Sequence, residues 1–307
     1  MFIILSVGAY SLTYERKFYS LFYKSPYEVI LSDLEKVRAE FPDANALIDS
    51  HQKISRYYIQ KNSFKSDFQW ITDSLSTKQI LHYLESASQS SDYIYLGALP
   101  EIQPNIVALI LDYFPSLIWQ KNYAGATTYF FSKKQEEIER PLIQTQFGSD
   151  YLSNWSNVIL ENLLIDSASQ QINSYMVEPE IEWAVSYTDT LKNWDVGTND
   201  FIDISLCGVF NQQPKDALVV ASLTNSDGES IYWGSSNFLE FAKVDSFPQK
   251  ITLHHTIKFS DIKGINSSLI FKTFVWNKGF NRFSIQDFII SKRKGNPVIY
   301  GLVEKIE

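Results

Sequence analysis

The hydrophobic rhythm of this chain changes near residue 140. Upstream, stretches with an apolar residue every three or four positions alternate with short apolar runs. Downstream, almost every apolar segment has period two. Helical and strand periodicities demand different packing layers, so a chain of 307 residues with both holds two architectures. The pattern predicts a short N-terminal segment (1–19), a Rossmann-like α/β domain (20–140) with a doubly wound, mostly parallel sheet, and an antiparallel β-sandwich (141–307). Each of the two large sections is long enough to bury a core unaided.

In the first section, Ser25-Pro26-Tyr27-Glu28 reads as a capped helix start with proline in the first turn. Tyr27, Ile30, Leu31, Leu34, Val37 and Phe41 fall on one face, and Pro42 ends the helix. Ala46-Leu47-Ile48 reads as a strand, His51–Gln60 as a helix and Phe68–Ile71 as a strand. Ser76-Thr77-Lys78-Gln79 opens another helix as a capping box, Tyr93–Leu96 follows as a strand, and Pro104 begins a further helix. Leu117–Trp119 and Thr128–Phe131 form a hairpin around Gly125. Ligands of such sheets favour the carboxyl ends of the strands. The candidates there are Asp49, Asp73 and Gly97. A dinucleotide site needs several glycines for backbone to approach a pyrophosphate, and Gly97 stands alone. Asp49-Ser50-His51 is not a nucleophilic triad, because neighbours at a strand end point apart; it reads as a helix cap.

In the second section, Ile181, Trp183, Val185 and Tyr187 share one strand parity, against Glu180, Glu182 and Ser186. Ile202, Ile204, Leu206 and Phe210 alternate with Asp203 and Ser205. Ala217–Leu223 and Ile231–Trp233 are joined by the turn Asn225-Ser226-Asp227-Gly228. The series closes on a hairpin, Phe271–Trp276, Asn277-Lys278-Gly279 and Phe283–Ile290. Phe283 and Ile285 have one parity and Phe288 and Ile290 the other, which predicts a bulge near Gln286-Asp287. Strands at this spacing read as a jelly-roll-like sandwich of two sheets.

Glu180 and Glu182 lie about 7 Å apart by strand rise, a glycosidase-like separation, yet alternating acids are the ordinary dress of a solvated strand. His255 sits in the apolar register as a core histidine, whereas His254 faces the other way and lines a surface. Cys207 is the one cysteine, which excludes an internal disulfide and a thiolate zinc site. No catalytic or metal-ligand constellation emerges and no cofactor is implied. Asp195, Asp200, Asp203 and Asp227 offer oxygens to a structural calcium, without an ordered ligand spacing. Residues 1–140 hold 14 Lys/Arg against 16 Asp/Glu and residues 141–307 hold 13 against 19, a balance that argues against nucleic acid as a partner.

Aromatics are abundant, with 21 Phe, 18 Tyr and 7 Trp. Flat rings stack on the C–H faces of sugars while Asn, Asp or Glu bind hydroxyls, which makes Trp194, Tyr232, Trp233, Trp276 and His254 the candidate ligand-binding residues. The opposing reading packs these rings between the sheets; Trp194, in the polar stretch Lys192-Asn193-Trp194-Asp195, fits it least.

Phe2–Tyr10 is apolar but spans nine residues, short of the ~20 of a bilayer crossing. Glu15-Arg16-Lys17 and a run of Tyr and Phe follow. That order suits either chain emerging through a headgroup region or a buried first element.

The stretches FVWNKGFNRFSIQDFII (274–290) and GNPVIYGL (295–302) resemble bacterial jelly-roll modules of the carbohydrate-binding type. LTYERKFYSLFYKSPYE (12–28) and DYFPSLIWQKNY (112–123) resemble the soluble tail of membrane glycosyltransferases that use polyprenyl-phosphate sugars. The catalytic acids of that class lie in loops between membrane spans, so no catalytic residue carries over. The resemblances imply a non-catalytic, glycan-related recognition or accessory ectodomain on the extracytoplasmic face of the bacterial envelope. The partners would be a glycan or envelope component and, through the N-terminus, a membrane. A structural or protein-interaction ectodomain, or the soluble portion of a membrane glycosyltransferase, are the competing readings.

Overall fold

The computed structural model describes residues 25–71, 75–134, 144–147, 154–165, 172–243 and 246–300. The segment expected at 1–19 lies outside them. The chain divides into two compact units, residues 1–138 with 296–307, and residues 139–295.

In the first unit, α1 (Pro26–Glu40) carries proline in its first turn and buries Ile30, Leu31, Leu34 and Val37. Ser25 makes no side-chain cap bond, contrary to the capping signature in the sequence. The helices α2 (Gln52–Asn62), α3 (Thr77–Ser90) and α4 (Ile106–Tyr113) follow. The capping box that opens α3 does form: the Ser76 N–H donates to Gln79 Oε1 at 2.9 Å, and the Gln79 N–H to Ser76 Oγ at 3.4 Å. The strands are β1 (Asn45–Asp49), β2 (Gln69–Ile71), β3 (Tyr93–Ala98), β4 (Ser116–Tyr123) and β5 (Ala126–Ser132), in the order β2-β1-β3-β5-β4.

Only β2, β1 and β3 are parallel, whereas β5 is antiparallel to both β3 and β4. The sheet is therefore mixed, not mostly parallel, because the β4–β5 connection is a tight hairpin; Gly125 takes the positive φ of 72° that its turn needs. Ala46, Ile48, Tyr95 and Phe130 pack with α1 in one cluster. Leu47, Ile94, Leu96 and Phe131, of the opposite parity, are buried as well, so both sheet faces are covered.

The chain returns to this unit at its end. Asn296 donates through Nδ2 to the carbonyls of Tyr123 and Ala126 and to Thr127 Oγ1, at 2.8, 2.9 and 3.0 Å. The Gly125 N–H donates to the Ile299 carbonyl at 2.7 Å. The stretch 295–302, expected in the sandwich, is thus divided: Gly295 stays with the second unit and Asn296 onward joins the first.

The second unit is an antiparallel sandwich. One sheet has the order β13-β12-β15-β10-β7, from β7 (Trp155–Ser156), β10 (Trp183–Thr190), β12 (Ala217–Thr224), β13 (Ser230–Asn237) and β15 (Ile270–Asn277). The other runs β14-β11-β16-β9-β8, from β8 (Leu163–Ile165), β9 (Ile172–Val177), β11 (Phe201–Phe210), β14 (Gln249–Lys258) and β16 (Phe283–Arg293), with β6 (Gln144–Gln146) also on β16. Trp155 meets Phe288 across the sandwich at 5.1 Å between ring centroids, and Phe210, Phe238 and Phe283 fill a second layer. The β12–β13 hairpin forms as the turn residues predict, with Gly228 at φ 82°.

Two expectations need correction. Phe271–Trp276 and Phe283–Ile290 do not pair as a hairpin: β15 lies between β10 and β12 in one sheet, and β16 beside β11 and β9 in the other. The loop between them is an arch held by a buried amide pair. Asn277 Oδ1 accepts the Asn281 N–H at 2.8 Å, and Asn281 Nδ2 donates to the Lys215 carbonyl at 2.5 Å. A Cβ on Gly279 would collide with that same carbonyl, so only glycine closes the arch. The bulge expected near Gln286 is present: Asp287 faces Cys207 and Ile285 faces Gly208.

Strand β10 also departs from strict alternation. Trp183 and Ala184 pair with Trp276 and Val275, but Ser186 pairs with Phe274, so Val185 is an extra residue and the parity reverses there. Tyr187 points into the core and Trp183 does not. No helix among the described residues is long and apolar enough to cross a membrane.

Candidate functional site

Alternation decides which side chains of the β13-β12-β15-β10 sheet meet solvent, and the register gives their neighbours. Thr188, Lys272, Ser222 and Trp233 lie in one row across the outer face. Ser186, Phe274, Val220 and Ser235 form the next row, in which Ser186 and Val220 are covered by their neighbours, and Trp183, Trp276, Leu218 and Asn237 the third. Trp233 is 56% exposed and Trp183 47%. The rings of Trp183 and Trp276 stack at 5.0 Å and 11°, and Trp183 meets Phe274 at 5.4 Å. Trp276 Nε1–H donates to Glu182 Oε1 at 3.2 Å, which fixes the inner ring of the stack and leaves Trp183 as its exposed partner. By strand spacing and rise, the backbones of Trp233 and Trp276 are roughly 16 Å apart. Aromatic corners therefore frame a central strip of hydroxyl, amide and aliphatic side chains.

Several polar groups on the outer face of the second sheet are engaged with one another. Arg293 grips Asp203 in a fork, Nε to Oδ2 at 2.7 Å and Nη2 to Oδ1 at 3.1 Å. Thr256 donates to Asp203 Oδ1 at 2.7 Å, Phe201 lies under the guanidinium at 4.0 Å, and Gln146 Nε2 donates to Asp287 Oδ1 at 3.1 Å.

The ligand-binding candidates from the sequence separate into two groups. Trp233 and Trp276 lie on the same outer face, at opposite corners. Trp194 is 1% exposed, at the end of the short helix α5 (Leu191–Trp194), with its ring against Tyr187 and Phe271 and Nε1–H donating to Asp189 Oδ2 at 3.1 Å. Its polar sequence neighbours face out while it anchors the helix to the core. Tyr232 turns inward: its hydroxyl lies 3.0 Å from His255 Nε2, and Ser236 Oγ lies 3.0 Å from His255 Nδ1. His255 is the hydrogen-bonded core histidine its register predicted, and burial pushes its pKa down to about 4. Burial likewise pushes the Tyr232 hydroxyl up to about 12. A Cβ on Gly234 would run into Tyr232 Oη and His255 Cε1, so the glycine makes room for the contact. His254 has the opposite parity but is 3% exposed beside the Phe241 ring, and so is not a surface residue. Glu180 and Glu182 are exposed and precede β10.

At the strand ends of the first unit, Asp49 Oδ2 accepts the Leu99 N–H at 3.3 Å, a structural bond between two strand termini. Gly97 lies against Ile30, whose side chain a Cβ would strike. Asp73 lies outside the described residues. A buried acid elsewhere in this unit went unnoticed in the sequence. Asp33, on α1, accepts from Tyr123 Oη at 2.7 Å, Thr128 Oγ1 at 3.1 Å and Lys36 Nζ at 2.8 Å. Burial raises its pKa, but the bonds from Lys36 and Tyr123 and the charge of Lys121 outweigh that and hold it below the ordinary carboxylate value. Its only sequence signal is a charge at an apolar-face position of a helix.

The four aspartates considered for calcium are dispersed. Lys292 lies 3.5 Å from Asp200 Oδ2 and 3.9 Å from Asp195 Oδ2, and donates to the Asp195 carbonyl. Asp203 is taken by Arg293, and Asp227 sits in the β12–β13 turn. Among the described residues no group of three or more His, Cys, Asp or Glu is placed to hold a metal ion.

No protein-family model and no curated protein matches the chain. Solved structures similar to it include carbohydrate-binding modules, an α-L-arabinofuranosidase and the enzymatically active domain of a bacteriophage tailspike protein. The CBM22-1 xylan-binding domain of Paenibacillus barcinonensis Xyn10C is 13% identical, with a TM-score of 0.32 over 52% of this chain and 99% of that one. The CBM22-1-GH10 modules of Clostridium thermocellum Xyn10B, complexed with xylohexaose, are 11% identical, with a TM-score of 0.31 over 52% and 29%. The mannan-recognising module TmCBM27 is 15% identical, with a TM-score of 0.29 over 50% and 98%. Likeness at this level leaves ligand and activity to be argued from this chain's own residues.

Proposed function

We propose that the second unit is a non-catalytic glycan-recognition module that reads its ligand on the outer face of the β13-β12-β15-β10 sheet. The observation that carries this reading is the convergence of Trp183, Trp276, Phe274 and Trp233 on one solvent-facing surface, drawn from three strands by register. Large aromatic surface left in water is costly unless something covers it. Sugars suit such a surface: their C–H faces stack on rings while Ser222, Ser235, Thr188 and Asn237 meet hydroxyls. Side chains of this face include no facing pair of acids, which favours holding a glycan over cleaving one.

The bacterial envelope is the proposed setting, on the apolar, charged and aromatic order of residues 2–23. Cell fractionation of the full chain tests it: recovery from the cytosol alone would reject the location.

The test of binding is isothermal calorimetry of the full chain against a panel of oligosaccharides, repeated with Trp233→Ala and Trp183→Ala. Each substitution should weaken binding at least tenfold, about 1.4 kcal/mol. Substitution of the buried Trp194 is the wrong control, since it would disturb the core. Unchanged affinity in both exposed variants would reject the face, and absence of any sugar-dependent heat would reject the function in favour of a protein-interaction ectodomain.

A further inference from the structure

The charge on the aromatic face identifies the class of glycan. Among the described residues of β10, β12, β13 and β15, the outward side chains are aromatic, aliphatic, hydroxyl or amide, apart from Lys272. Lys272 is exposed at the middle of its row, with Thr188 and Ser222 in register on either side and Trp233 one strand beyond. Its Nζ stands 5.5 Å from the Phe274 ring centroid. A second ammonium, Lys278, stands 5.5 Å from the Trp276 ring. Of the carboxylates around the face, Glu178 is paired with Arg282 at 3.0 Å, whereas Glu182, which accepts from Trp276, and Glu229, which accepts from Asn225 at 2.9 Å, keep their charge at its edges. In a chain of net charge −8, the one ionised outward side chain of these four strands is thus a cation at the middle of the aromatic face.

We infer that the ligand is an acidic glycan built from uronic acids, with one ring stacked at Trp233 and the carboxylate of a neighbouring residue paired to Lys272. This rests on the glycan-binding reading above. A uronate fits the arrangement because its carboxylate projects from the ring edge and leaves the C–H face free for stacking. By strand spacing, Trp233 and Lys272 are about 10 Å apart across the sheet, so stacking and pairing fall on different sugars of one chain. Lys278 at the far end then meets a further carboxylate, in keeping with a regular polyuronate.

The experiment is calorimetry of the full chain with oligogalacturonate and oligoglucuronate, with neutral xylo- and manno-oligosaccharides and with a sulfated dextran oligosaccharide, in low and high salt. Both uronates should bind, and their affinity should fall as salt rises, while the neutral sugars bind weakly. Lys272→Gln should weaken uronate binding about fivefold and flatten its salt dependence, and Lys272→Arg should retain both. Lys272 is exposed, so these variants keep the fold, which circular dichroism checks. Neutral sugars binding as tightly as uronates, with no effect of Lys272→Gln, would overturn the acidic ligand and leave the glycan reading standing. Preference for the sulfated sugar would overturn the uronate assignment alone. Failure of every glycan to bind would remove both.

Discussion

His255 sets a quantitative test of the sandwich core. Its ring bridges Tyr232 on β13 and Ser236 two positions beyond Gly234, each at 3.0 Å, and burial holds its pKa near 4 against 6.5 for a free imidazole. The folded value is depressed, so between pH 6.5 and 4 the unfolded chain takes up a proton that the folded chain refuses. Stability therefore falls as pH drops through that window and levels off below it. A displacement of roughly 2.5 units corresponds to about 3 kcal/mol in full, of which about 2 kcal/mol is lost between pH 7.5 and 5. Tyr232 stays protonated throughout, because burial raises its pKa. The assay is urea unfolding at pH 7.5 and pH 5, followed by tryptophan fluorescence; five of the seven tryptophans lie in the second unit. His255→Gln keeps a polar group among these partners but cannot titrate, so its stability should fall about 2 kcal/mol less over the same interval. If wild type and variant lose equal stability on acidification, the imidazole is not held neutral by this site and the argument fails.

Two predictions concern the first unit. Asp33→Asn removes a carboxylate that accepts three bonds and should destabilise the unit by about 2–3 kcal/mol. Because the Asp33 pKa is lowered, its contribution is present above the ordinary carboxylate value and lost as pH falls below it; a wild-type and variant pair with identical urea midpoints at pH 7 would refute this. Asn296→Ala leaves two carbonyls and a hydroxyl of the β4–β5 hairpin without their donor, and should cost about 1–3 kcal/mol. Unaltered hydrogen-exchange protection at Gly125 and its hairpin neighbours would show that the returning segment does not hold this unit.

The sequence disclosed periodicity well and partnership poorly. Period two across 201–210 placed Ile202, Ile204, Leu206 and Phe210 in the core, where they are. The Asn225–Gly228 turn and the bulge at Gln286 were legible because local residues fix them. Pairing of β15 with β10 and β12 was not legible, since the arch at Asn277–Asn281 depends on the Lys215 carbonyl, far away in the chain. Adjacent strands suggested a hairpin because short loops usually make one. Trp194 misled for a related reason: three polar neighbours describe a surface, but a four-residue helix turns one side inward, and Asp189 satisfies the indole that this buries.

The site itself depends on a single residue of excess. Strict alternation through Ile181, Trp183, Val185 and Tyr187 puts all four on one face, and the aromatic surface then lacks its most exposed stacked ring. The bulge at Val185 keeps Tyr187 in the core, where its hydroxyl donates to Asp189 Oδ2 at 3.0 Å, and releases Trp183 to the face that Trp276 occupies. One insertion thereby separates two demands on β10, packing at its C-terminal half and presentation at its N-terminal half. Bulges recur where a strand must re-aim a side chain without losing its place in the ladder. Core alternation alone has no use for a Trp183 turned outward; a surface that must hold a ring in water does, and that asymmetry is the physical reason for proposing recognition on this sheet rather than on the other.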